Sequence, residues 1–157
     1  MYSEFSETST SCSKMRSAIV TARIGSRGLS AVHISGPAGT GKTSLAKFMH
    51  ISGRPHARIL TVDSKQLTAQ TVQRILPEKL PATLLIENVD GLSQEGIEVV
   101  RTLLTNRIAI DLKVITTSRQ DLRSLTRRGF FPDDLFYKLT SIFIELPEIT
   151  KRGLDFE

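Results

Sequence analysis

Gly36-Pro37-Ala38-Gly39-Thr40-Gly41-Lys42-Thr43 fits the pattern G-x-x-x-x-G-K-[ST], with an apolar run before it and a helical periodicity after it. Ala31 to Ser35 reads as the preceding strand, and Leu45, Ala46, Phe48 and Met49 recur at helical spacing behind the loop. The context is what a phosphate-binding loop requires. Gly36, Gly39 and Gly41 lack a Cβ, so the backbone can turn its N–H groups toward anionic oxygens, with Pro37, Ala38 and Thr40 completing the cradle. The N-terminus of the next helix adds its positive dipole end. Lys42 then reaches the β and γ phosphates of a nucleotide, and the Thr43 hydroxyl is placed to ligate Mg²⁺. The competing reading is a glycine-rich turn that binds nothing.

Working outward, strand and helix patterns alternate along the 157 residues. Further strands are expected at Ala57 to Val62, Ala82 to Ile86, Leu112 to Thr116 and Ser141 to Leu146, five in all. Helices are expected from Lys14 to Gly25, after the loop, from Ser64 to Leu76, from Gln94 to Asn106 with Ser93 as its cap, and as a short turn of helix ending at Leu139. The apolar period of the fourth is read through Ile97, Val100, Arg101 and Leu104. Such alternation implies an α/β fold, a parallel sheet flanked by helices. Met1 to Ser13 is dominated by Ser and Thr and is expected to be a flexible arm, leaving 14–150 as one domain.

Composition narrows the function classes. Hydrophobic content of 39% and charged content of 24% suit a soluble domain, and no apolar run approaches the roughly 18 residues of a membrane span. One cysteine, Cys12, and no leader pattern make a cytoplasmic setting the expectation. A net charge of +5 is too small to identify a nucleic-acid partner, and with 6% aromatic residues base stacking is unsupported, so no direct DNA contact is expected. His33, His50 and His56 lack companions at metal spacing and read as structural or surface residues. Arg119, Arg123 and Arg127 would form a basic ridge if one helix carried all three.

Taken together, S-G-P-A-G-T-G-K-T at 35–43, A-T-L-L-I-E-N-V-D-G-L at 82–92, I-D-L-K-V-I-T-T-S-R-Q-D-L at 110–122 and G-F-F-P-D-D-L-F-Y-K-L-T-S-I-F-I-E-L-P at 129–147 carry a resemblance. They resemble the AAA+ ATPase domains of sigma-54-dependent bacterial transcription activators, relatives of NtrC. The likeness implies a three-layer P-loop NTPase sheet binding ATP and Mg²⁺, assembly into a homo-oligomeric ring or with neighbouring domains of a longer activator, and a role in transcription regulation. It also implies that 151–157 begins a helical lid lying beyond the last residue.

The departures matter as much. By the resemblance, Glu87 stands where the family has its Mg²⁺-ordering Asp, and Asn88 where it has the Glu that polarises water. Glu87 can still hold the metal, whereas Asn88 cannot accept a proton. Asp63 falls where the family places the Asn that binds that Glu, so amide and carboxylate have changed places. Asp63 is thus a candidate to polarise water, or simply a helix cap. The family's two phosphate-reaching arginines fall at Pro132 and Lys138, leaving Lys138 as the only cation there to act on a neighbour's nucleotide. Ser118 and Arg119 occupy the region where a polar side chain feels the γ phosphate. The sigma-54-contacting loop would lie within Ser64 to Pro81, and its motif is missing, which argues against direct contact with sigma-54 RNA polymerase. Weak or absent hydrolysis is the expectation, against the rival readings of a competent ring-forming ATPase and a scaffold with a vestigial loop.

Overall fold

The computed structural model describes residues 13–75 and 81–148. The expected arm, apart from Ser13, and the expected tail at 151–157 lie outside the described residues. The elements run α1 (Ser13–Gly25), β1 (Val32–Ser35), α2 (Lys42–Gly53), β2 (Arg58–Asp63), α3 (Ala69–Ile75), β3 (Ala82–Glu87), α4 (Gln94–Asn106), β4 (Leu112–Ser118), α5 (Leu122–Arg127), α6 (Asp133–Leu139) and β5 (Ile142–Glu145). All five strands are parallel, in the order β2-β3-β4-β1-β5.

Burial on both faces explains why the central strands read as nearly unbroken apolar runs. Alternate residues of β3 and β4 feed two separate cores. Leu84, Ile86, Leu112 and Val114 pack with Val100 and Leu104 of α4 and with Leu122, Leu135 and Leu139 of α5 and α6. On the opposite face Leu85 and Ile115 join Val32, Ile34 and Ile144 against Ile19 and Ala22 of α1 and Leu45 and Met49 of α2. The result is three layers.

Three sequence expectations need correction. The helix expected over Ser64 to Leu76 is divided into a 3-10 turn at Ser64–Gln66 and α3, because Asp63 accepts from Lys65 N at 3.0 Å and Thr68 recaps the chain through Thr71 N at 3.1 Å. Arg101 of α4 does not share the apolar face. It forks onto Asp134 of α6 with two bonds of 2.9 Å, leaving Gly96, Val99, Val100, Leu103 and Leu104 as the buried stripe. The arginine ridge is broken too, since α5 starts only after its cap Asp121, and Arg119 belongs to the loop before it. Arg123 instead lies over the Phe143 ring, 4.9 Å from its centre. Among the described residues no helix is long and apolar enough to cross a membrane.

Candidate phosphate-binding site

Register brings the chemistry to one edge of the sheet. Ser35 pairs with Ser118 and Asp63 with Glu87, so the ends of β1, β2, β3 and β4 deliver the loop after Ser35, Asp63, Glu87-Asn88 and Ser118-Arg119 to the carboxyl side of the strands. In open α/β sheets that is where ligands bind. The loop is anchored by Gly36 N donating to Ser118 O at 3.2 Å.

Within the loop, Gly41 has φ +91, a conformation L side chains rarely adopt. Gly36 is required for a different reason, because a Cβ there would lie 2.9 Å from Thr40 Oγ1 and 3.1 Å from Leu146 O. Thr40 Oγ1 donates to Pro37 O at 2.8 Å, closing the turn. Lys42 opens α2 and arches back over the loop, its Nζ donating to Gly36 O at 2.6 Å and Pro37 O at 2.9 Å. Burial lowers the Lys42 pKa first and the Arg119 charge second, while Asp90 and Glu87 oppose them. Three charged side chains from two other strand ends thus act on this one amine.

Thr43 Oγ1 donates to Glu87 Oε1 at 3.0 Å, joining the residue after Lys42 to the end of β3. This pair of hard oxygens fits the donor set that Mg²⁺ takes. Asn88 follows at φ 61, ψ 50, a left-handed conformation that Asn tolerates better than other side-chain-bearing residues. Its N–H donates to Thr117 Oγ1 at 3.2 Å and its Nδ2 to Asp63 Oδ2 at 3.0 Å. Asp63 Oδ1 holds Lys65 N, and these two bonds, the Lys65 one first, keep the carboxyl below its ordinary pKa. Asp63 is therefore both a cap and the partner of Asn88.

Other candidates are placed differently. The Ser118 side chain is fully buried, donating to Gln120 O at 2.8 Å and meeting His33 Nε2 at 3.0 Å, so it reaches the loop through its backbone carbonyl. Arg119 is exposed and lines a cavity of about 500 Å³ with Asp63, Ser64, Lys65, Asn88, Asp90 and Gln120. Lys138 is exposed on α6, outside this cluster, and Pro132 caps that helix. His33 and His50 are buried structural residues, bonded to Thr116 Oγ1 and Thr83 Oγ1. Sequence reasoning passed over Asp90 and Ser64. The D-G pair at 90–91 was the available signal, since it marks a turn that leaves a carboxylate just beyond a strand end.

A family model described as the Sigma-54 interaction domain matches residues 7–149. The chain belongs to that family. Among similar proteins of this kind, AtoC, a regulatory protein of Escherichia coli (strain K12), is 27% identical over 154 residues, covering 79% of this chain and 33% of AtoC. The DNA-binding transcriptional regulator NtrC of Azospirillum brasilense is 24% identical over 154 residues, covering 79% of this chain and 32% of its own. This sigma-54 interaction domain thus spans about a third of the length of those relatives. Its fold matches the P-loop NTPase domain of a sigma-54 activator from E. coli at a TM-score of 0.68 and 16% identity, covering 85% of this chain and 96% of that one. NtrX from Brucella abortus, solved in complex with ATP, matches at 0.73 and 20% identity over 91% of this chain and 39% of its own.

Proposed function

We propose that this domain is an ATP-binding AAA+ module of a transcription regulator, in which MgATP serves as an assembly or conformational ligand and hydrolysis is weak. The observation that carries the reading is Lys42 arched over the loop with Thr43 facing Glu87, a phosphate cradle beside a paired hydroxyl and carboxylate. Thr43 and Glu87 would hold Mg²⁺, which supplies positive charge against the phosphates. Loop N–H groups and the start of α2 orient the anion, and Lys42 exchanges its two carbonyl partners for phosphate oxygens. NtrX, which shares the fold, has been solved with ATP and with ADP, in keeping with nucleotide as the ligand class.

Weak turnover follows from Asn88. An amide orients water but takes no proton from it, and its Nδ2 is already committed to Asp63. A ligand that binds two conformations with unequal affinity shifts their populations without being cleaved. The partner is then a second copy of the domain or a neighbouring domain of a longer chain.

The test is a single-turnover experiment with protein in excess over labelled MgATP, scoring bound against free and ATP against ADP, with Lys42→Ala alongside. We expect ATP bound by the parent, slow cleavage, and at least about tenfold weaker binding by Lys42→Ala. Fast cleavage that rises with protein concentration would favour a ring-forming ATPase. No binding at saturating nucleotide would leave an interaction scaffold.

A further inference from the structure

A chain of hydrogen bonds runs from the middle of β1 to the phosphate loop. His33 is fully buried, and its ring bridges two hydroxyls of β4, with Nδ1 at 2.8 Å from Thr116 Oγ1 and Nε2 at 3.0 Å from Ser118 Oγ. The one hydroxyl proton of Ser118 goes to the backbone oxygen of Gln120 at 2.8 Å, an atom that can only accept. Ser118 Oγ therefore accepts from His33, and the ring proton sits on Nε2. Burial pushes the His33 pKa down to about 3, so near neutral pH the ring is uncharged and Nδ1 is the bare nitrogen that accepts from Thr116. The hydrogens all point one way, from Thr116 through His33 and Ser118 to the Gln120 carbonyl.

Ser118 also holds the loop. Its carbonyl accepts from Gly36 N at 3.2 Å, and Gly36 O accepts from Lys42 Nζ at 2.6 Å, so the backbone of Gly36 links the amine to β4. Pairing of β4 with β3 ends at Thr116, and Ser35 with Ser118 is the last pair between β1 and β4. At that end of the strand the side-chain bonds of Ser118 supply a restraint that the ladder no longer gives. The imidazole is itself backed by the Phe143 ring of β5, 5.6 Å away centre to centre.

We infer that His33 is a positioning residue of the phosphate loop, its Nε2–H fixing Ser118 so that the Ser118 carbonyl keeps Gly36 in place when Lys42 leaves the Gly36 carbonyl for a phosphate oxygen. The inference rests on the nucleotide reading above and deepens it, since it names what keeps the loop's backbone donors aimed at the anion. Donors set before the ligand arrives bind it at a smaller ordering cost.

His33→Leu removes the donor and keeps a buried side chain, whereas His33→Gln returns an N–H donor of similar reach. Affinity for MgATP should fall about threefold to tenfold in His33→Leu and recover most of that in His33→Gln. Ser118→Ala should weaken binding by a similar factor, and the double variant His33→Leu/Ser118→Ala by no more than the weaker-binding single one, because both remove the same bond. Hydrogen exchange of the nucleotide-free protein gives a local readout. The Gly36 amide should exchange about tenfold faster in His33→Leu and in Ser118→Ala while amides in the middle of β4 keep their rates; a general loss of stability would quicken both. Parental affinity in His33→Leu, factors that multiply in the double variant, or a parent ring found by nitrogen NMR to be protonated on Nδ1 would each overturn the assignment and leave the nucleotide reading standing. The ring tautomer and the Gly36 exchange rate in Ser118→Ala decide the matter even where His33→Leu does not fold. A parent that binds no MgATP overturns the nucleotide reading and the role of His33 with it.

Discussion

Asn88 is held in a left-handed conformation at the end of β3, and its amide spans to the Asp63 carboxylate at the end of β2. A glutamate in its place would set two carboxylates together on a backbone that suits Asn or Gly, so Asn88→Glu should destabilise the domain by about 1–3 kcal/mol. Adding Asp63→Asn restores an acid-amide pair with the roles exchanged. The double variant should regain the part of that loss that comes from the facing carboxylates in urea unfolding, and a purely additive result would show that the two side chains do not couple. At this scale the sequence was legible where one residue type has one task. The structure joins Thr43 to Glu87, whose metal-holding task came from the resemblance, and folds Lys42 back over the loop. Ser118 was not legible, because β4 has hydroxyls at Thr116, Thr117 and Ser118 in succession, and alternation does not tell which faces a ligand when both sheet faces are covered. Its partner turned out to be His33, a contact 85 residues away in sequence.

Elements were legible where the signal is local. The expected bounds of α4 and its Ser93 cap agree with the structure, Ser93 Oγ accepting from Gly96 N at 3.1 Å. Breaks that depend on a side chain capping a turn, as at Asp63, Thr68 and Asp121, were not visible in the apolar period, and Thr68 and Asp121 set the true starts of α3 and α5. Gly53 at the end of α2 shows how an element can be fixed by a neighbour it meets only after folding. A Cβ at Gly53 would come within 1.8 Å of the Ser26 carbonyl oxygen, a backbone atom that cannot yield, whereas Gly28 has nothing nearby and needs only its φ of +73. Gly53→Ala should therefore cost about 3 kcal/mol or more, and Gly28→Ala about 1–2 kcal/mol. Thermal unfolding of the two variants tests the ranking, which is reversed if α2 can slide off the Ser26 loop.

For the whole molecule, the question is what ties the two cores across one sheet to the end that lacks the phosphate loop. Lys113 does part of this, since it is 1% exposed within β4 and its Nζ donates to Gly25 O, the last residue of α1, and to Ser30 O before β1, both at 2.7 Å. A lysine inside an apolar strand reads in sequence as an edge or a surface position, so its buried role was not foreseeable. Burial, then the Arg54 and Arg107 charges, push its pKa from 10.5 down to about 8. Between those values the unfolded chain keeps a proton that the folded chain has released, so stability rises with pH across this window. Below about pH 8 both forms are protonated and the contribution is flat. Other groups titrate there too, and comparison with Lys113→Met removes them. The stability of the parent relative to Lys113→Met should grow by on the order of 2 kcal/mol between about pH 7.5 and pH 9.5 in urea unfolding. A constant difference would mean that the two carbonyls hold the charged amine as well as water does, and that the link between α1 and the sheet is insensitive to proton loss.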